Sequence, residues 1–324
     1  MGDRIARIVI VTPAAPGTRN GNRHTATRWA GMLRDSGFQV RTATAWTGER
    51  ADALIALHAR RSHDSVQRWK ERNPAAPLVV ALTGTDLYRD LPASSEARRS
   101  LELADRVIVL QEAALRELPP GVRAKTSVVH QSSSTATRAA PPPGTFRIAV
   151  VGHLREEKDP FRAVRAVSRL PDKVQVVHVG AALDRAHEQE ALQWSRREPR
   201  YRWLGSVAHA AALRWIARSQ VLVVSSRMEG GANVIAEAAT IGTPVLASRI
   251  SGNLGMLGAK YPGYFPPGED AALANLIGKC LEPVFLARLR RELRARRRLF
   301  LPAAERRALL RAVRAALRRS PASR

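Results

Sequence analysis

Glu229 and Glu237 flank a Gly230-Gly231 pair, a spacing that suits a ligand with hydroxyls at both ends and phosphates between them. Glu229 falls on a loop, where a carboxylate can accept hydrogen bonds from vicinal hydroxyls of a sugar. Glu237 lies one helical turn beyond Asn233 on the same face and can reach a second hydroxylated group. Between them, the amides of Gly230, Gly231, Ala232, Asn233 and Val234 fall where a helix begins, which suits an anion, and glycine permits a close approach. Such a ligand is a nucleotide sugar.

Three other stretches carry charge that could serve it. Gly152-His153-Leu-Arg155-Glu-Glu-Lys158-Asp-Pro160 offers cations at a strand-to-helix turn, with a surface salt-bridge cluster as the alternative. The loop Pro13 to His24 holds Arg19, Asn20, Arg23 and His24 beside Gly17 and Gly21. Guanidinium forks match phosphate-like oxyanions, so Arg19 and Arg23 suit an oxyanionic acceptor. Asn20 is expected on the acceptor beside them, His24 in catalysis and Gly21 on the donor. The loop does not follow Gly-x-Gly-x-x-Gly, so no nicotinamide cofactor is indicated. In Thr83-Gly84-Thr-Asp86, Asp86 is either an acceptor-side carboxylate or a helix N-cap, and His130 and Gln131 are expected to face a cleft.

The elements that would hold these groups repeat in two sets. Short β-branched runs at 7–12, 39–43, 53–57, 78–82, 106–110 and 126–130, with helical patterns between several of them, predict one Rossmann-like domain. Runs at 146–152, 173–180, 221–224 and 245–247, with helical patterns from 160, at 184–197, at 209–217 and from 233, predict a second. Ser/Thr followed by Pro141-Pro142-Pro143 cannot supply a core. The expected organisation is an N-terminal acceptor domain over 1–131, a linker over 132–145, a nucleotide-sugar domain over 146–300 and a basic terminal helix over 301–324 that returns to the first domain. The predicted class is α/β, two Rossmann-like domains facing across a cleft.

A chain of 324 residues can hold two such cores. Its one cysteine, Cys280, excludes an internal disulfide and a cysteine-rich metal site. No apolar run approaches the ~20 residues of a membrane span, so a soluble, cytoplasmic protein is expected. The formal charge of +25 raises nucleic acid as a partner, but residues 281–324 alone hold 14 Arg against three Glu. Aromatics make up 5% of the chain and do not interleave with the basic residues, so no specific nucleic-acid site is expected.

With the preceding strand and Gly242-Thr-Pro-Val245, the Glu229/Glu237 spacing resembles the donor motif of GT4 glycosyltransferases of the GT-B fold. In that family the first Glu meets the donor sugar and the second the ribose. Gly152 to Asp159 resembles the family's Gly-Arg-Leu-x-x-x-Lys-Gly loop, with Lys158 at the Lys position and His153 where the family has Arg. The resemblance implies that Lys158 neutralises the departing diphosphate, helped either by Arg155 swinging in or by a partly protonated His153. Tyr201 to Val207, with Leu204 at its turn, resembles the segment whose backbone reads the nucleotide base.

Together with Thr12 to His24 and Thr83 to Tyr88, these stretches look most like selenosugar synthases, GT4-like enzymes of selenoneine biosynthesis. That likeness implies a UDP-sugar donor (UDP-N-acetylglucosamine or UDP-glucose), selenophosphate as acceptor, no metal or other cofactor, and selenophosphate-supplying and selenoneine-pathway enzymes as partners. Selenium would attack the anomeric carbon while Lys158 and the 230–233 amides hold the leaving UDP. A transferase acting on a hydroxyl acceptor would instead need a base, for which His24 or Asp86 is available.

Overall fold

The computed structural model describes residues 5–15, 17, 21–84, 86–133 and 137–318. They divide into two compact units, 1–131 with 302–324, and 132–301, so that the chain passes between units at 131/132 and again at 301/302.

In the first unit β1 (Arg7–Val11), β2 (Gln39–Ala43), β3 (Ala53–Leu57), β4 (Leu78–Leu82), β5 (Arg106–Val109) and β6 (Thr126–Val128) form one parallel sheet in the order β2-β1-β3-β4-β5-β6. Successive residues of β1 enter different cores. Ile8 and Ile10 pack with Trp29, Leu33 and Leu309, while Val9 and Val11 pack with Trp46, Trp69 and Leu101. Burial on both faces is why β1, β3, β4 and β5 read as near-continuous apolar runs, while the edge strands β2 and β6 do not.

The terminal helix Pro302–Leu317 covers one face of this sheet with Leu309, Ala312, Val313 and Ala316. Its Glu305 is fully buried, accepting 2.8 Å from the Trp29 indole N–H and standing 2.9 Å from the Arg28 guanidinium. That bond ties the end of the chain to the first helix, Gly21–Arg34.

The second unit holds β7 (Phe146–Val151), β8 (Val174–Val179), β9 (Tyr201–Trp203), β10 (Val221–Val224), β11 (Val245–Ser248) and β12 (Tyr264–Phe265), all parallel, in the order β12-β11-β10-β7-β8-β9. The predicted linker is not a free spacer. Its described part lies along this unit: Ala139 N–H donates 3.2 Å to the Ala217 carbonyl, and the Arg138 guanidinium donates 3.1 Å to that of Gly242. The residues before the prolines keep amides and side chains to spend on a neighbour.

Candidate active site

The order of the second sheet fixes where a ligand can go. Chain progress runs from β7 through β8 to β9, then returns to the other side of β7 for β10, β11 and β12. Ligands of doubly wound sheets bind at such a reversal, outside the carboxyl ends of the two central strands. The loops leaving β7 and β10 are 152–159 and 225–232, the two that carry Lys158 and Glu229.

These loops are joined. The Ser225 hydroxyl donates to the carbonyls of Lys158 (3.1 Å) and Asp159 (2.9 Å), and the Arg227 amide donates 2.8 Å to the Glu157 carbonyl. At the centre the Lys158 ammonium donates to Oε1 of Glu229, which also accepts 2.6 Å from Ser226 Oγ. A cation and a carboxylate separated by 71 positions thus meet at one point of the switch crevice. Behind them Asp159, in a left-handed conformation at φ 46°, accepts 2.8 Å from Arg162 Nε, and Arg162 is held in turn by Asp270 at 2.5 Å.

The helix Asn233–Ile241 starts without a side-chain cap and stops at Gly242, at φ 90°. An uncapped first turn leaves orphan N–H groups for an anion. Gly230 and Ala232 are buried, Gly231, Asn233 and Glu237 half-buried, and Val234 sits in the core. On the same helix, Glu237 Oε1 lies 2.9 Å from Nε2 of His209, the first residue of the helix His209–Ala217. That bond raises the imidazole pKa above its ordinary value.

Two glycines outside the predicted motifs shape both loops. A Cβ on Gly180, at φ 154°, would stand 2.9 Å from His153 N and closer still to the Gly152 carbonyl. A Cβ on Gly252 would stand 2.9 Å from that of Glu229 and overlap its carbonyl oxygen. Asn253 Nδ2 donates 2.9 Å to the Ser248 carbonyl, and Ser248 Oγ donates 2.5 Å to that of Ser226, so the Glu229 loop is held from beneath. Below the Gly152 turn, burial keeps His178 neutral, with its pKa down to about 4, and its Nδ1 lies 2.9 Å from the Tyr201 hydroxyl.

Other predicted residues have different jobs. His153 Nδ1 accepts 3.2 Å from the Ala181 amide, which orients the ring on the Gly152 turn. Arg155 is exposed, with its Nε 4.0 Å from a Glu157 carboxylate oxygen. The Leu204 amide is already given to the His178 carbonyl at 2.9 Å, so that N–H is not an edge for a base.

In the first unit Asp86 is not an acceptor-facing carboxylate. It is fully buried and accepts from the amides of Gly84 (2.8 Å), Thr83 (3.0 Å) and Ala59 (3.2 Å), because a desolvated carboxylate needs such donors. Thr83 and Gly84 are half-buried beside it. Gln131 does not face a ligand either: buried, it donates to the Thr25 hydroxyl, which donates 2.8 Å to the Gly21 carbonyl. His130 is also buried.

Gly21 and His24 are exposed and Arg23 half-buried on the first helix, whereas Arg19 and Asn20 lie outside the described residues. His58 went unpredicted. It follows β3 at φ 74°, a strained conformation for a non-glycine residue, with Nε2 3.6 Å from Asp90.

Comparison with known proteins agrees with this architecture. Residues 145–283, which include both loops of the crevice, match the family of glycosyl transferases group 1. Three solved structures are similar over nearly their whole length. Alr3699/HepE of Anabaena, in complex with UDP-glucose, shares 18% identity at a TM-score of 0.75, covering 95% of this chain and 99% of that one. Sucrose-phosphate synthase of Thermosynechococcus elongatus shares 18% at 0.77, covering 95% and 98%. A glycosyltransferase of Rickettsia africae shares 13% at 0.71, covering 97% and 99%. The fold is therefore the GT-B fold of glycosyltransferases. A comparison with curated proteins found no match. Among the described residues no helix is long and apolar enough to cross a membrane.

Proposed function

We propose that this protein is a glycosyltransferase that takes its sugar from a UDP-sugar and forms a carbon–selenium bond with selenophosphate. The observation that carries the transferase reading is the meeting of Lys158 and Glu229 at the switch point of the second sheet. A nucleotide sugar there would exchange their ion pair for one between diphosphate oxygens and Lys158 and for hydrogen bonds donated by sugar hydroxyls to Glu229. The uncapped helix at Asn233 faces the same diphosphate, and Glu237 takes the ribose.

Leaving-group stabilisation is the main catalytic need, and the reading assigns it to the chain's own Lys158 and loop amides. Selenium attacks the anomeric carbon, the bond from that carbon to the UDP oxygen breaks, and water cleaves the Se–P bond to release phosphate. The balanced products are a 1-selenosugar, UDP and phosphate. A selenium nucleophile needs no strong base, whereas a hydroxyl acceptor would have to rely on His24, since Asp86 is locked away from any ligand.

The test incubates the protein with UDP-glucose and UDP-N-acetylglucosamine, with and without selenophosphate, and follows UDP release and product mass. Selenophosphate-dependent UDP release with a 1-selenosugar mass is expected. Release that requires a hydroxyl acceptor instead would leave the transferase standing and remove selenium. Arg23→Gln should raise KM for selenophosphate by the value of a charge-assisted hydrogen bond, ~1.5–3 kcal/mol, with the UDP-sugar KM nearly unchanged. Equal weakening of both substrates would place Arg23 on the diphosphate.

A pH effect follows from His209. Its raised pKa means that the ion pair with Glu237 is fully present at acidic pH and is lost as pH climbs through the folded-state value, above the ordinary imidazole range. His209 is 62% exposed, so the pair is worth ~0.2–1 kcal/mol. The donor KM should rise a few-fold across that window, and His209→Gln should have the higher KM below it and converge with wild type above it. A wild-type donor KM that stays flat would detach His209 from the ribose carboxylate.

A further inference from the structure

We propose that the terminal helix of the first unit carries a second anion site, one that binds a compact oligophosphate and shares no residue with the sugar-transfer loops. Arg307, Arg311, Arg314 and Arg318 recur along Pro302–Leu317 and just past its end at intervals of four, three and four residues, so they share one face of the helix. The opposite stripe, Leu309, Ala312, Val313 and Ala316, is buried in the sheet core, which fixes the orientation of the arginine face. Arg106, the first residue of β5, joins the ladder, and together they wall a groove of about 570 Å³.

No acidic residue lines this groove, and none of the five guanidiniums has a hydrogen-bonding or ion-pair partner among the described residues. The Nε of Arg106 is buried in that state. Asp105, next to it, is turned away and holds Lys70 at 2.8 Å and the Leu78 amide at 2.8 Å. Arginine stays charged at any physiological pH, so the ladder repels itself until an anion enters. Dipole complementarity accounts for Arg314 and Arg318 at the helix C-terminus, but not for Arg307 and Arg311 nearer its start and middle.

The lining selects the occupant. Only Leu310 and Ala315 accompany the arginines, so there is no aromatic on which a nucleic-acid base could stack. The large exposed apolar residues among the described ones, Ile5, Leu183, Leu192 and Val284, all lie elsewhere, so nothing here would insert into a bilayer. Four guanidiniums spread over roughly 16 Å of helix suit several phosphate groups in one small molecule.

The test measures binding of inorganic tripolyphosphate to the full chain by calorimetry, in the native protein and in a Lys158→Ala background that subtracts binding at the transfer loops. One saturable site should persist in the Lys158→Ala background. Arg311→Gln should weaken it about tenfold, the size of one lost charge-assisted hydrogen bond. Changing all four helix arginines to Gln should abolish it. A control with the same loss of charge, exposed Arg288, Arg294, Arg297 and Arg298 changed to Gln, should leave it unaltered. Equal weakening in the control would reduce the site to diffuse net charge. No tripolyphosphate binding, or binding only of an oligonucleotide or of phosphatidylserine vesicles with which tripolyphosphate does not compete, would overturn it.

Discussion

Lys158→Ala and Glu229→Ala should each lower sugar transfer by at least about a hundredfold, the scale of losing one preorganised charge partner of the transition state. Both side chains stand on loops at the carboxyl ends of β7 and β10 and neither fills a core, so the sheet should survive. The stability cost should be ~1–3 kcal/mol in either single variant, because each leaves one half of a mostly buried pair without its partner. Ser226 still donates to Glu229 in the Lys158 variant, which makes that the milder of the two.

The double variant separates structure from chemistry. Removing both charges leaves nothing stranded, so stability should recover relative to the sum of the single losses, while activity should not. Unfolding midpoints and kcat with saturating UDP-sugar give the two quantities. If activity followed stability through the cycle, Lys158 and Glu229 would be a structural pair and the donor site would have to be sought elsewhere.

Much of this site could be seen in the sequence because its chemistry depends on residue type. A cation in a strand-to-helix turn, and a carboxylate before a double glycine and a helix start, announce themselves one stretch at a time. Their junction does not, since it depends on β10 returning to lie beside β7, a fact of sheet order. The runs at β3 and β4 are legible as strands for a related reason: a parallel sheet covered on both faces has no polar side to interrupt the apolar pattern.

Other polar groups that the sequence places at strand ends are turned inward by the fold. Asp86 lies in a Gly/Thr loop at a strand end, as a ligand carboxylate would, but three amides claim it. Gln131 and the Nδ1 of His153 are consumed in the same way. His58 carried one usable signal, a histidine immediately after a buried strand beside the reversal in the first sheet. Its left-handed backbone has no mark in the sequence.

Gly252→Ala should damage the protein although it lies in a helix and outside the residues proposed to meet substrate. In the interior of a helix, Gly→Ala ordinarily stabilises by up to ~1 kcal/mol through propensity and the unfolded chain. Gly252 is the second residue of Ser251–Leu257, and its Cα faces the backbone of Glu229 so closely that a methyl group would stand 2.8 Å from the carbonyl carbon and nearer still to the oxygen. Neither obstacle is the flexible end of a side chain. The loop or the helix must move, and the helix cannot move freely because Asn253 is bonded to Ser248, which is bonded to Ser226. The expected cost is ~1–3 kcal/mol of overpacking. A displacement of Glu229 by ~1 Å should reduce transfer about a hundredfold. Gly278→Ala is the matched control, within the helix Asp270–Cys280 and with nothing within 4 Å of the added methyl. It should be neutral or slightly stabilising and fully active. Thermal unfolding and initial rates on both variants decide the matter: a Gly252 variant as stable and active as the Gly278 variant would mean that the Glu229 loop yields without cost, and that its position is not set from beneath.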